Sequence, residues 1–393
     1  LVWWMTQTTN SATVLTTAAL VSVLPQVILG PFIGALVDRW NRQWVMVLAD
    51  GSIALVTLGI ALLFWSGYIQ IWHLYLLNFI RAIGGLFHWT AMQASTSLMV
   101  PKNQLSRVAG MNQTIQGVLN IATPPLGALL LGLIPMHFIL SIDIVTAIIA
   151  IMPLLFLRIP QPEKAGAAQE ATPRRVLADV REGLRYVWKW PGLLIIMAVA
   201  SVINFLLNPA GTLMPLLVTR HFGGGVWHLG AVESAFSIGV VVGGLLLSVW
   251  GGFKRKIVTT LSGLVLMGAG AMMIGLAPRW AFGLALAGQV VLGVMNPLVN
   301  GPLFALLQDC IAPEMQGRVF TLVGSLAGMM SPLGLAIAGP VAERFGIQVW
   351  FWFGGAFCIL MGIVGAMTPP VLHLEEQMKA RGEPSPAVNV PEM

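Results

Sequence analysis

Apolar residues run along this chain in stretches separated by short breaks where charges, glycines or prolines gather. A helix rises about 1.5 Å per residue, so about 20 apolar residues cross the roughly 30 Å hydrocarbon layer of a bilayer. The breaks predict a helix fragment over 1–5 and spans near 15–37, 44–66, 73–99, 105–134 and 137–157. After a polar stretch from Arg158 to Lys189, spans follow near 192–219, 229–250, 257–277, 280–309, 316–341 and 347–368. Eleven full spans and one stump make an all-α, polytopic membrane protein. A transmembrane barrel would instead alternate apolar and polar residues over ~10-residue segments.

Composition narrows the class further. Of 393 residues 57% are hydrophobic and 9% are charged, against about 25% charged in a soluble protein, so a soluble globule is excluded. The formal charge of +6 would point to nucleic acid in a soluble chain, but here the basic residues sit in loops, where membrane orientation places them. No nucleic-acid partner is expected. Cys310 and Cys358 lie in or beside apolar runs without metal or disulfide spacing. No cleavable signal is visible, because Leu1 to Met5 already read as the end of a helix; the first helix is expected to be largely missing from this chain.

Loop charge sets the orientation. Seventeen Lys and Arg fall on one side, including Arg39, Arg42, Lys102, Arg107, the 158–189 stretch, Lys254 to Lys256 and Arg318, while Arg220, Arg279 and Arg344 fall on the other. The positive-inside rule makes the linker and both termini cytoplasmic, in a multi-pass inner-membrane protein. Within the linker, Thr172-Pro173 and the spacing of Val176, Leu177, Val180, Leu184, Val187 and Trp188 predict an amphipathic helix on the inner leaflet.

The halves repeat each other. Gly117 precedes Pro125-Leu126-Gly127 by the same eight residues as Gly324 precedes Pro332-Leu333-Gly334. Two related six-helix bundles follow, with a bundle at 1–157, a linker at 158–191, a second bundle at 192–369 and a tail at 370–393. Parallel repeats about an axis along the membrane normal are a transporter arrangement that binds substrate near the midplane.

Gly34-Ala35-Leu36-Val37-Asp38-Arg39-Trp40-Asn41-Arg42 carries the most specific signal. It resembles the signature loop of the major facilitator superfamily, with Asn41 where a Gly is common and Gln43 where a basic residue is common. Pro25-Gln26, Gly30-Pro31, Asp50 and Trp250-Gly251-Gly252-Phe253-Lys254-Arg255 resemble the drug and siderophore exporters of that superfamily, the macrolide-efflux branch above all. The resemblance implies a twelve-helix fold and a conformational latch of Gly34, Asp38, Arg39, Arg42 and Asp50. Physically, a carboxylate beside two guanidiniums at a helix end can hold one state of a two-state carrier.

Arg81 is the one basic residue inside a predicted span, where a charge costs about 2.5 to 3.5 kcal/mol and demands a partner. With Gly85 it resembles the fourth-helix motif of proton-coupled members. Three membrane acids can carry a proton, since desolvation raises a carboxyl toward the working range: Glu233, favoured because eighth helices of the superfamily line its cavity, then Asp143 and Asp309. Asn112, Gln116 and Asn120, Asn204 and Asn208, and Asn296 and Asn300 recur at i, i+4 and place polar stripes on three apolar helices. The superfamily arrangement would turn these stripes to the substrate cavity; helix-to-helix hydrogen bonding is the alternative.

Sequences for ATP-driven transport or hydrolysis do not occur, so neither an enzyme nor a cofactor is expected. His73, His88, His137, His221, His228 and His373 have no ligand spacing and are expected at interfaces rather than on a metal. The combined expectation is a monomeric, proton-coupled exporter of lipophilic small molecules such as macrolides. Siderophore export is the alternative within transport, and a non-transporting receptor or scaffold the alternative outside it.

Overall fold

The computed structural model describes residues 1–101, 104–156, 159, 191–310 and 313–368. All regular structure among these residues is helical: α1 (Val2–Thr9), α2 (Ala12–Arg39), α3 (Arg42–Ser66), α4 (Ile71–Met99), α5 (Leu105–Leu133), α6 (Met136–Phe156), α7 (Pro191–Thr212), α8 (Val226–Trp250), α9 (Lys256–Leu276), α10 (Phe282–Cys310), α11 (Pro313–Phe345) and α12 (Gln348–Met367). Nine of these are long and apolar enough to cross a membrane. Large side chains that a soluble protein would bury lie open, among them Phe156, Val249 and Trp280, because lipid rather than water is their solvent. The amphipathic helix expected between Thr172 and Lys189, and the charged tail, lie outside the described residues.

Predicted spans and observed helices agree in number and order, and their ends differ where local chemistry decides. Ser11 caps α2 by accepting from the Val14 amide, Asn41 caps α3 by accepting from the Gln43 and Trp44 amides, and Gly67 ends α3 with φ 77°. The span expected as one piece over 192–219 is broken. Pro215 has no amide hydrogen for the Gly211 carbonyl and its ring crowds that carbonyl, so α7 stops at Thr212. A short turn, Met214–Leu216, then runs into a π turn over Leu217–His221. There Phe222 N–H reaches Leu217 O at 3.3 Å and Gly224 N–H reaches Val218 O at 2.8 Å, which satisfies the wide turn.

The chain divides into two compact units: Leu1–Thr172 with Leu207–Ser234 and Ser331–Trp350, and Pro173–Leu206 with Ala235–Met330 and Phe351–Met393. The division passes through α7, α8, α11 and α12 rather than only through the linker. In the first unit α3 packs on α4 and α6, and α2 on α4. Its core gathers Ile33, Val37, Val45, Met46 and Ala91. Gly84 lets α4 close on α3, since a Cβ there would stand 2.8 Å from Ile53 Cδ1 and 3.3 Å from the Ala49 carbonyl oxygen. Gly85, its neighbour in the expected motif, faces open space.

In the second unit α9 and α10 pack along each other, with Ile257, Leu261 and Leu306 buried together. Glycines inside α8 and α9 let helices approach closely. A Cβ on Gly239 would meet the Val290 carbonyl oxygen at 2.6 Å, and one on Gly268 the Gly355 carbonyl oxygen at 2.5 Å. Gly243 has no room for a Cβ against the Val294 carbonyl oxygen. Small residues bring helix backbones together where lipid leaves no hydrophobic drive between helices.

Candidate functional site

Arg81 has found its partner. Its Nη1 donates to Asp143 Oδ2 at 2.8 Å, joining α4 to α6. Thr57 of α3, fully buried, points its hydroxyl at the same carboxylate oxygen from 3.5 Å. An intramembrane ion pair offsets the cost that either charge would carry alone, and a carboxylate so held can exchange its guanidinium partner for a proton. Both side chains are about two-fifths exposed, 40% and 41%. The carboxylate is therefore reachable, unlike a sealed structural pair.

About two turns along α3 from Thr57 and along α4 from Arg81, Asp50 Oδ1 lies 2.9 Å from His88 Nδ1 of α4. Asp50 was expected beside the latch arginines; the described contact joins it to His88 instead. Among the described histidines, His88 departs from the interfacial expectation. His73 and His228 accept from the amides of Gln70 and Gly225, at 3.0 and 3.2 Å, at the starts of α4 and α8. His221 Nδ1 lies 2.8 Å from Gln348 Nε2. Among the described residues no group of three or more His, Cys, Asp or Glu could hold a metal ion.

Around the signature loop, Arg42 is buried and its Nη1 donates to the Ala94 carbonyl of α4 at 2.8 Å. Gln43 Nε2 donates to the Leu154 carbonyl of α6 at 2.6 Å, and Trp40 stacks on Phe87 with ring centroids 6.0 Å apart. The start of α3 is thus tied to α4 and α6 by main-chain acceptors. Asn41 and Gln43, the two departures from the superfamily pattern, serve here as helix cap and interhelix donor. Gly34, Asp38 and Arg39 lie in the last turns of α2, and their side-chain surroundings lie outside the described part. Removing the Arg42 guanidinium takes away a hydrogen bond from a charged donor, which is worth about 1.5 to 3 kcal/mol. Arg42→Ala is therefore expected to lower the thermal midpoint of the purified protein and slow transport, whereas Arg42→Lys should restore part of both; an unchanged midpoint would argue that water replaces the guanidinium.

The polar stripes divide. Asn112, Gln116 and Asn120 all present exposed side chains on α5. Asn204 Nδ2 bonds back to Ala200 O at 2.9 Å, and Asn300 Nδ2 to Asn296 O at 3.0 Å, each on its own helix. Asn208 is exposed and Asn296 half-buried. Glu233 stands exposed on the second turn of α8, and Asp309 lies in the last turn of α10 with its side chain outside the described part. Pro125 and Gly127 sit inside α5, and Pro332 and Gly334 inside α11, both of the latter buried. The repeat therefore occupies helix interiors in both halves of the sequence.

The sequence pattern of the Major Facilitator Superfamily, a family of membrane transporters, matches residues 1–331 and 208–390. The chain belongs to that superfamily. It is 32% identical over 375 residues to macrolide efflux protein A of Streptococcus pyogenes, covering 95% of this chain and 92% of that one. The multidrug efflux pump Tap of Mycolicibacterium fortuitum is 27% identical over 384 residues, covering 95% and 91%. Among solved structures the nucleoside transporter NupG superposes with a TM-score of 0.70 at 14% identity, over 93% of each chain, a likeness of fold.

Proposed function

We propose that this protein is a proton-coupled exporter of lipophilic small molecules, macrolides first among them, in the inner membrane with its linker and termini cytoplasmic. The observation that carries the coupling is the Arg81–Asp143 pair inside the membrane. The observation that carries the substrate class is similarity over nearly the whole chain to a macrolide efflux protein. Asp143 takes the proton and lets go of Arg81; Glu233 and Asp309 are the other acids available to the cycle. Two six-helix bundles, 1–157 and 192–369, rock about a central site whose polar lining includes Asn112, Gln116, Asn120, Asn204, Asn208, Asn296 and Asn300. Gly34, Asp38, Arg39 and Arg42 latch one of the two states, as a charged cluster at a helix end can.

The energetics suffice. One proton moving inward down ~100 mV supplies about 2.3 kcal/mol, roughly a fifty-fold gradient of a neutral drug. The test is the accumulation of a labelled macrolide in efflux-deficient cells producing the protein. Lower accumulation than in control cells is expected, and equal accumulation with the protein present in the membrane would remove macrolides as substrates. Asp38→Asn should slow that export without removing the protein from the membrane.

A further inference from the structure

Glu343, at the end of α11, takes part in none of the contacts invoked above, yet its carboxylate accepts three hydrogen bonds. It accepts from the Ala12 amide at 2.6 Å, from Ser11 Oγ at 3.2 Å and from Arg220 Nη1 at 3.2 Å. Arg220, in the π turn that follows α7, also donates from Nε to Asn10 Oδ1 at 2.9 Å. Asn10 holds a left-handed φ of 46° between α1 and α2, a conformation that Asn tolerates better than other side chains. Three chain segments far apart in sequence therefore meet on one carboxylate.

The meeting point is the N-terminus of α2. The first amides of a helix have no acceptor within it and carry the positive end of its dipole, so a carboxylate is favoured there. One turn back along α11, Gly339 lies so near α2 that a Cβ would stand 2.5 Å from Thr13 Cα and 2.7 Å from Thr16 Oγ1. The two backbones touch only because residue 339 has no side chain. Other charged or titratable groups at this end are Arg344, lying over the Phe345 ring at 5.7 Å, His221, beside Gln348, and Tyr75, whose hydroxyl donates to the Val14 carbonyl at 3.4 Å. Residues 1–37 contribute no ionisable side chain.

We propose that Glu343, with Arg220, Asn10 and Ser11, is a proton-released gate on the outer side of the membrane: the carboxylate clamps the start of α2 to the end of α11, and a proton from outside releases it. The outer placement rests on the orientation given under the proposed function, in which Arg220 and Arg344 lie outside. Burial by itself would raise the Glu343 carboxyl, but the Ala12 amide, the Arg220 charge and the hydrogen bonds from Arg220 and Ser11 outweigh it and hold the carboxyl below its ordinary value. A carboxyl harder to protonate when clamped than when free takes its proton preferentially when free, so acid favours release. The clamp is complete above the ordinary carboxyl range and lost as pH falls through the lowered value. An exporter that takes its proton from an acidic exterior would thereby open outward where that proton is available.

The test places spin labels at Gln7→Cys and Phe345→Cys, both exposed and flanking the clamp, in the full chain with Cys310 and Cys358 replaced and embedded in lipid nanodiscs. Between about pH 7 and about pH 3 the ratio of long to short distances should rise about fivefold, which is about 1 kcal/mol. Glu343→Gln should remove that dependence, and Arg220→Gln should move the acid midpoint upward. A distance distribution that ignores pH in the parent chain, or that still follows pH in Glu343→Gln, would overturn the gate. If Glu343→Gln does not assemble, an unmoved midpoint in Arg220→Gln does the same. The side is read separately: Gln7→Cys should react with an impermeant maleimide in intact cells, and reaction only in inverted vesicles would overturn the outer placement while leaving the clamp itself standing.

Discussion

Asp143→Asn is expected to leave the protein in the membrane and to abolish uphill transport. The substitution keeps the shape and one acceptor oxygen for the Arg81 guanidinium at 2.8 Å and the Thr57 hydroxyl at 3.5 Å, but it removes the group that can alternate between guanidinium and proton. The drug gradient should fall from roughly fifty-fold to none, because the approximately 2.3 kcal/mol from each inward proton no longer reaches the drug. Downhill exchange should survive, since binding and rocking do not consume that proton. Removing the other partner acts differently. Arg81→Ala leaves a carboxylate without its counter-charge in the membrane, so protein level should fall as well as transport, and the double change Arg81→Ala with Asp143→Asn should recover level but not coupling. Measurement of protein in isolated membranes beside drug accumulation separates the two effects. Uphill transport at the parent rate in Asp143→Asn would pass the coupling role to Glu233 or Asp309.

Gly243→Leu should produce the largest loss of stability. A Cβ at that position would enter the Val294 carbonyl oxygen and stand 2.8 Å from Pro297 Cγ, so no rotamer relieves the clash and α8 and α10 must part. Overpacking of this kind costs about 1 to 3 kcal/mol where a side chain can shift; against backbone the upper end is expected. The companion change Gly244→Leu meets nothing within 4 Å and should be tolerated. Thermal midpoints of the two variants in detergent check the contrast, and equal midpoints would mean that the helices separate at no cost.

Helix number, order and approximate ends were legible because hydrophobic runs of membrane length leave few alternatives. The break after α7 was not, since Pro215 lies inside an apolar run and hydropathy is blind to a missing amide hydrogen. Arg81 stood out as the charge inside a span, and Asp143 as an acid in another. Their pairing across 62 residues depends on how α4 and α6 are turned toward each other, which no spacing records. His88 shows the same limit: read alone it resembles an interfacial histidine, and only the packing of α3 on α4 brings Asp50 to 2.9 Å. Glu343 was hidden differently. Next to Arg344 at a span end it reads as ordinary loop charge, and nothing in its neighbourhood of sequence announces the α2 terminus that it caps. The signal available was that residues 1–37, lacking any ionisable side chain, leave the positive end of the α2 dipole to be met by a carboxylate from elsewhere.

Proton coupling is the central claim, and proteoliposomes loaded with a pH-sensitive dye test it most directly. With the protein inserted and a pH gradient imposed, adding a macrolide should start a proton flux opposite in direction to the labelled drug, and Asp143→Asn should abolish the proton flux while drug still exchanges downhill. Drug movement at the same rate with the pH gradient and potential collapsed, and no proton flux on adding drug to the parent protein, would contradict the account.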